Sequence, residues 1–207
     1  MRSAENVRGG RYRVLMTGRI RHETDAELID RPAGGLEDAW VGRWRDDMRA
    51  GLAGLLGRFE ARFGFPPEEH EVAGPVSEEQ LAGLAELHGD GLPADLVTFH
   101  RVVAEVDLPD VENGYWIHSP PLPGEDPGHP RRLTDGRRVV VFGSDGGGGL
   151  FALTAGPGSP VLRLAGGSFL GGAYDADHAA PVAADLQEFL TSLLREVTEA
   201  ARKGDGH

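Results

Sequence analysis

The first sustained pattern along the chain is a run of apolar residues three or four positions apart between Leu36 and Phe63. This spacing places the apolar side chains on one face and predicts an amphipathic helix of about 26 residues. Gly64 can take the left-handed backbone that ends a helix, and Pro66 and Pro67 prevent its continuation. The residues of this face are Leu36, Trp40, Trp44, Met48, Leu52, Leu55, Leu56, Phe59 and Phe63.

Two shorter helices are predicted after residues 65–76, a linker rich in Pro, Glu and Gly. Ser77 and Gln80 have the spacing of a capping box, which begins a helix that Gly89 ends. Pro93 opens the next helix, because a missing amide hydrogen removes no hydrogen bond at the first helical position. The buried stripes comprise Leu81, Leu84 and Leu87 in the first helix, and Leu96, Phe99, Val102 and Val103 in the second.

Short β-type runs dominate the second half of the chain and predict strands over 115–118, 138–143, 150–155 and 161–165. The last three runs are joined by short glycine-rich segments, so consecutive strands should pair antiparallel because no crossover helix fits between them. Residues 119–136 contain five prolines and predict an unusually long loop.

A final helix is predicted after Asp185, whose negative charge complements the dipole at a helix N-terminus. Its apolar face comprises Leu186, Phe189, Leu190, Leu193, Leu194 and Val197. The order of elements therefore predicts an α+β fold, with helices packed on an antiparallel sheet of four to six strands and a closing C-terminal helix.

Three segments are predicted from these patterns. Residues 1–35 have no sustained period and place six arginines against one glutamate in the first 21 positions, which favours a mobile tail or an over-extended start, with a strand over 12–16 as the alternative. Residues 36–75 hold the long helix and the linker, and residues 76–203 form the α+β domain.

The net charge of −12 is distributed unevenly along the chain. Residues 1–63 carry 12 basic and 10 acidic side chains, whereas residues 64–207 carry 9 basic and 23 acidic side chains, a net charge of −14. An acidic surface repels phosphate backbones and attracts basic proteins, so we expect a protein partner and no direct contact with nucleic acid.

The amino-acid composition excludes several kinds of site and of protein. The chain has no cysteine, which excludes disulfide scaffolds, thiolate metal sites and cysteine nucleophiles. No window approaches the roughly 18 to 20 apolar residues of a membrane helix, and the N-terminus lacks the apolar core of a signal peptide. We expect a cytoplasmic protein that is a monomer or a weak dimer.

Three groups of residues were candidates for chemistry. The glycine-rich segment 143–149 follows a strand, but a phosphate-binding loop must open onto a helix and here a strand follows. Asp175, Asp177 and His178 could ligate a metal, yet no metal motif accompanies them. Ser144 and Ser168 lie outside a G-x-S-x-G sequence and need a histidine within reach to act as nucleophiles. We therefore expect no cofactor, no metal and no catalytic residue.

The best functional patch is a short acidic run beside two aromatic residues. Such a run is ordinarily a solvated loop, but carboxylates steer basic partners and aromatic side chains anchor interfaces. The candidate partner-binding residues are Glu105, Asp107, Asp110, Glu112, Tyr115 and Trp116. Asp107 and Asp110 are expected to be exposed, so reversing both charges should leave folding intact and weaken the binding of a basic partner.

The order of motifs over residues 76–197 resembles the SUKH superfamily. The matching elements are Leu92–Pro93 with Phe99, Asn113–Gly114, Phe142–Gly146, Gly149–Leu153, Pro160–Leu162 and Asp185–Leu190. The resemblance implies an α+β domain with a curved antiparallel sheet. For bacterial members it also implies an immunity protein that neutralises a toxin domain, often a nuclease, with no catalytic residues.

Three functional hypotheses follow. The first is a non-enzymatic module that binds and neutralises a basic, nuclease-type toxin domain. The second is a self-associating scaffold or regulatory protein that uses the helix of Trp40 and Trp44 as an oligomer seam. The third, ranked last, is a metal-dependent hydrolase that uses Asp175, Asp177 and His178.

Overall fold

The computed structural model describes residues 35–155, 159–166 and 169–203. The predicted N-terminal tail lies outside these ranges apart from Gly35. Within them the chain forms four α-helices, nine short strands and two 3₁₀ turns. The α+β class and the closing C-terminal helix are confirmed.

Helix α1 spans Asp38–Phe63, and its 26 residues match the length predicted from the apolar spacing. Gly64 ends it with a left-handed backbone (φ 82°) and donates its amide to the Glu60 carbonyl oxygen at 2.8 Å. Phe63, the last residue of the predicted stripe, is 44% exposed and contacts Phe59 and Phe65. The buried side chains of α1 are Trp40, Val41, Trp44, Met48, Leu52, Leu55 and Phe59.

The two short helices form as predicted, α2 over Glu78–His88 and α3 over Ala94–His100, with a 3₁₀ turn at Gly89–Gly91 between them. The capping box is complete, because Ser77 Oγ accepts from the Gln80 amide at 3.2 Å and Gln80 Oε1 accepts from the Ser77 amide at 3.1 Å. This reciprocal pair satisfies two of the amides that a helix start leaves without partners.

Seven strands form one antiparallel sheet, more than the four to six predicted, in the order β1-β2-β3-β4-β5-β6-β9. The strands are β1 Glu71–Val72, β2 Val106–Leu108, β3 Tyr115–Ile117, β4 Val139–Asp145, β5 Leu150–Thr154, β6 Val161–Leu164 and β9 Ala179–Ala183. Strands β7 (Phe169–Leu170) and β8 (Ala173–Tyr174) pair separately, and a 3₁₀ turn covers Ala176–His178.

The sequence prediction missed β1, β2 and β9. Two or three residues cannot display a convincing alternation, and β9 reads Ala-Ala-Pro-Val-Ala, which has low strand propensity. The predicted antiparallel pairing of the last three recognised strands is confirmed, and β3 also pairs antiparallel with β4.

Helix α4 spans Leu186–Arg202 and begins with Asp185, whose side chain accepts from the Glu188 amide at 2.8 Å. It packs along α1, where Trp44 Nε1 donates to the Leu190 carbonyl oxygen at 2.8 Å in a buried bond. Helices α1, α3 and α4 share one core with the sheet, so the long helix is part of the same packing unit as the predicted domain.

The burial of α1 removes the predicted oligomer seam. Trp40 and Trp44 are 3% and 2% exposed, and both lie in the core shared with α3, α4 and the sheet. The wide apolar stripe is therefore covered by the chain itself.

We call the sheet face that contacts α1, α3 and α4 the inner face and the opposite one the outer face. Along β4 and β5, Val140 and Leu153 belong to the main core, whereas Val139 and Ala152 belong to a smaller cluster, because alternate strand residues point to opposite faces. This outer cluster comprises Leu133, Val139, Ala152, Leu162, Leu164 and Tyr174. This cluster covers the outer face around β4–β6. The outer face around β1–β3 belongs to neither core cluster.

Candidate functional site

The six predicted partner-binding residues do not form one surface. Tyr115 and Trp116 are neighbours on β3, so one points to the inner face and the other to the outer face. Asp107 lies in strand β2 rather than in the predicted loop, because Val106 and Leu108 on either side of it are buried in the core. The alternation Val-Asp-Leu was the only signal of this strand.

The outer face brings acidic side chains together in a cross-strand row. Glu71 pairs with Asp107, Asp107 pairs with Trp116, and Trp116 pairs with Ser144. Directly paired residues share a face, with Cβ atoms about 5 Å apart. Glu105 precedes Asp107 by two positions and therefore lies on the same side. We call Glu71, Glu105 and Asp107 the outer acidic patch.

The patch concentrates negative charge without local compensation. Burial, followed by the charges of Asp107 and Glu71, raises the pKa of Glu105. Among the residues that the structure describes, none of the three carboxylates has a hydrogen bond or ion pair. Glu71 is exposed, and Glu105 and Asp107 are half-buried. The patch can therefore attract a cation that the described part of the chain does not provide.

Trp116 borders the patch and is held by two glycines. Gly114 has a φ of 83°, and a Cβ at this position would collide with the Trp116 ring. Gly146 likewise leaves no room for a Cβ, which would collide with the carbonyl oxygen of Asn113. The Asn113–Gly114 turn, recognised in the sequence, thus leaves room for the half-exposed indole over Gly114, on the residue that pairs with Asp107.

Asp110 has a structural role, which corrects the prediction that it is a free surface carboxylate. Its Oδ2 accepts from His70 Nε2 at 3.0 Å and from the Glu68 amide at 2.8 Å. The His70 side chain is fully buried. Losing Asp110 would leave a buried imidazole without its partner, so charge reversal there is not a neutral surface change.

Glu112 and Tyr115 lie at the end of the sheet, away from the outer acidic patch. Glu112 has a left-handed backbone (φ 51°) and is 3.8 Å from Lys203 Nζ. Tyr115 packs against the core and stacks on Phe151 with ring centroids 6.1 Å apart. Burial, a hydrogen bond to Glu196 and the nearby carboxylates raise the pKa of the Tyr115 phenol.

The glycine-rich hairpin does not offer its amides to a phosphate. Asp145 Oδ1 accepts from the amides of Gly147 at 2.9 Å and Gly149 at 2.8 Å, and its Oδ2 accepts from Arg163 Nε at 2.6 Å. Burial by itself would raise the pKa of Asp145, but these bonds outweigh it and lower the pKa. A carboxylate of the chain already occupies the position that an anion would take.

A cleft of about 540 Å³ gathers four histidines that are far apart in the sequence. Burial lowers the pKa of each histidine, to about 4 for His88 and His100 and below the ordinary value of 6.5 for His118 and His129. All four are therefore neutral at pH 7. The cleft is otherwise lined mainly by leucine and proline side chains of α2, α3 and the 119–129 segment, together with Val141 and Phe142 of β4.

His118 reaches Ser144, the contact that a serine nucleophile requires. His118 Nε2 and Ser144 Oγ are 2.9 Å apart. No carboxylate in the described ranges is hydrogen-bonded to His118, so the pair lacks the third member that orients the base in a triad. Ser168, the other serine considered, lies outside the described residues.

The predicted metal candidates form a local turn. Asp175 Oδ1 accepts from the Asp177 amide at 3.1 Å, and its Oδ2 contacts His178 Nδ1 at 2.9 Å. Across the described part of the chain, no three histidine or carboxylate side chains converge in a metal-binding arrangement.

Comparisons with known proteins identify no relative of this chain. No protein-family model, curated protein or solved structure shows significant similarity to the chain. The SUKH resemblance therefore remains a prediction that rests on its motifs. None of the described helices combines the length and apolarity needed to cross a bilayer.

Proposed function

We propose that this protein is a non-enzymatic binding module that captures a basic protein through the outer acidic patch and Trp116. The observation that carries the proposal is the uncompensated charge of Glu71, Glu105 and Asp107 on a sheet face that neither core cluster covers. Carboxylates beside an aromatic anchor are suited to partners that present arginine and lysine.

The proposed partner is a toxin domain of the nuclease type, and the proposed setting is the cytoplasm. A nuclease is generally basic around its substrate groove, because the groove must bind a phosphate backbone. An acidic surface can occupy such a groove and compete with nucleic acid by charge complementarity. The resemblance of the sequence motifs to those of immunity proteins also supports a toxin domain as the partner.

The proposal is tested with nuclease-type toxin domains, beginning with any that a neighbouring gene encodes. We expect the full chain to form a complex detectable by isothermal titration calorimetry and to suppress nucleic-acid cleavage as it approaches equimolar concentration. Undiminished cleavage at excess chain, without a binding signal, would refute the immunity function.

Charge reversal locates the surface. Glu71→Lys with Asp107→Lys should slow association by about tenfold or more, because steering depends on the summed charge near the interface. The matched control is Asp47→Lys with Glu60→Lys, which makes the same charge change at exposed positions of α1. Equal losses in both double variants would show that only net charge matters and that the patch is not the interface.

A further inference from the structure

A second cavity of about 320 Å³ lies at the end of the sheet between α4, β3, β5 and the 145–149 hairpin. Its apolar side is formed by Phe151, Phe189 and Leu193, of which the two phenylalanine rings are 4.9 Å apart. Tyr115 and Glu196 provide its polar side. The combination resembles a slot for a side chain with an apolar stem and a polar head.

The polar side of this cavity has a negative potential. The charges of Glu196, Glu112 and Asp145 all act on the Tyr115 phenol. Arg163 lines the cavity, and its Nε is held at 2.6 Å from Asp145 Oδ2. Lys203 Nζ lies 3.8 Å from Glu112 Oε1. Each of these two basic side chains is therefore committed to one carboxylate, and among the described residues no basic side chain pairs with Glu196.

One oxygen of the Glu196 carboxylate lacks a hydrogen-bond donor. Its Oε2 is buried and has no hydrogen-bond partner in the described part of the chain. A buried carboxylate oxygen that lacks a donor is unfavourable, and its presence calls for a donor from outside. Tyr115 remains protonated at neutral pH and donates to the same carboxylate, which holds the Glu196 side chain in place.

We propose that this cavity binds the guanidinium group of an arginine side chain presented by the partner. The proposal rests on the proposed function in that the partner is a basic protein. The arginine methylenes would lie against Phe151 and Phe189, and the guanidinium would contact the Tyr115 ring and donate to Glu196. Arginine fits better than lysine because its planar fork can donate two bonds to one carboxylate and stack on an aromatic ring.

The pocket is tested without the partner, by titrating the full chain with N-acetyl-arginine amide and following its amide resonances by NMR. We expect saturable shifts around Ser192 and Glu196 with an affinity on the order of 1 mM. The citrulline analogue has the same shape without the charge and should bind at least tenfold more weakly, as should the lysine analogue. Equal binding of the arginine and citrulline analogues would overturn the proposal.

Two variants test the site. Glu196→Gln removes the charge but keeps an oxygen that can accept from Tyr115, and it should weaken arginine amide binding about tenfold. Glu199→Gln, an exposed position on the same helix, is the matched control and should leave binding unchanged. Val182→Lys places a cation at an exposed residue of the cavity rim and should also abolish binding, so the test survives if Glu196→Gln fails to fold.

The two proposals can fail separately. Glu71→Lys with Asp107→Lys alters the outer face and should not change arginine amide binding. If the chain suppresses the nuclease but arginine amide does not bind saturably, the pocket proposal is wrong and the proposed function stands. If arginine amide binds and no nuclease is suppressed, the pocket stands and the immunity function is wrong.

Discussion

Protonation of His100 should destabilise the fold at mildly acidic pH. His100 is 2% exposed at the end of α3, and its Nδ1 is 3.1 Å from the Val103 carbonyl oxygen, which places a proton on Nδ1 and leaves Nε2 without one. Burial lowers its pKa from 6.5 to about 4, although the backbone bonds to Val103 and Ala104 act in the opposite direction. The imidazolium is therefore favoured in the unfolded chain.

The magnitude follows from proton linkage. Above pH 6.5 neither state of the chain protonates His100 appreciably, so the neutral side chain contributes its full stability. Below pH 6.5 the unfolded chain takes up the proton first, and stability falls until the pH reaches about 4, the pKa in the folded state. For these two pKa values the free energy of unfolding falls by about 2 kcal/mol between pH 7 and pH 5.

The assay is urea unfolding at pH 7, 6 and 5 for the natural protein and His100→Asn. The asparagine amide can still donate to Val103 but does not titrate, so the variant should lose about 2 kcal/mol less over this range. His88, His118 and His129 titrate in both proteins and cancel in the difference. Parallel slopes for the natural protein and His100→Asn would refute the reasoning.

Two further predictions concern stability. Phe99 is fully buried and contacts Trp44 edge to face, so Phe99→Ala should lower the free energy of unfolding by about 3 to 5 kcal/mol, measured by urea unfolding, and a loss below 1 kcal/mol would contradict its place in the core. Asp110→Lys should lower the free energy of unfolding by about 3 kcal/mol, because the buried His70 then lacks its hydrogen-bond partner. Asp107→Lys should change it by under about 0.5 kcal/mol. Equal thermal shifts for these two variants would show that the His70–Asp110 bond contributes nothing.

The elements that could be predicted are those whose signals are local. The apolar spacing of α1, the Ser77 capping box and the N-terminal position of Asp185 each specify backbone geometry within a few residues, and all three are confirmed. Strand β1 was missed because it pairs with β2 across more than thirty positions of sequence, and β2 was missed because its three residues show little alternation. Residues 71 and 107 carry no mark of that pairing.

The candidate site was only partly predictable for the same reason. Glu105, Asp107 and Trp116 were identified from their types, but Glu71 joins them only through the β1–β2 register. The division of Tyr115 from Trp116 follows from strand alternation, which the sequence already indicated for β3. The bond between Asp110 and His70 spans 40 residues, and no local pattern could have shown that this carboxylate is structural.

The proposed binding function would account for a cluster of charge that does not help folding. Asp90 is paired with Arg138 and Asp145 with Arg163, whereas none of the three carboxylates of the outer acidic patch has such a partner among the described residues. At Glu105, burial and the charges of Asp107 and Glu71 disfavour the charged form and raise the pKa of this carboxyl. A basic partner would relieve this repulsion when it binds. On the proposed function, part of this unfavourable energy would be recovered as affinity when a basic partner places cations beside the patch.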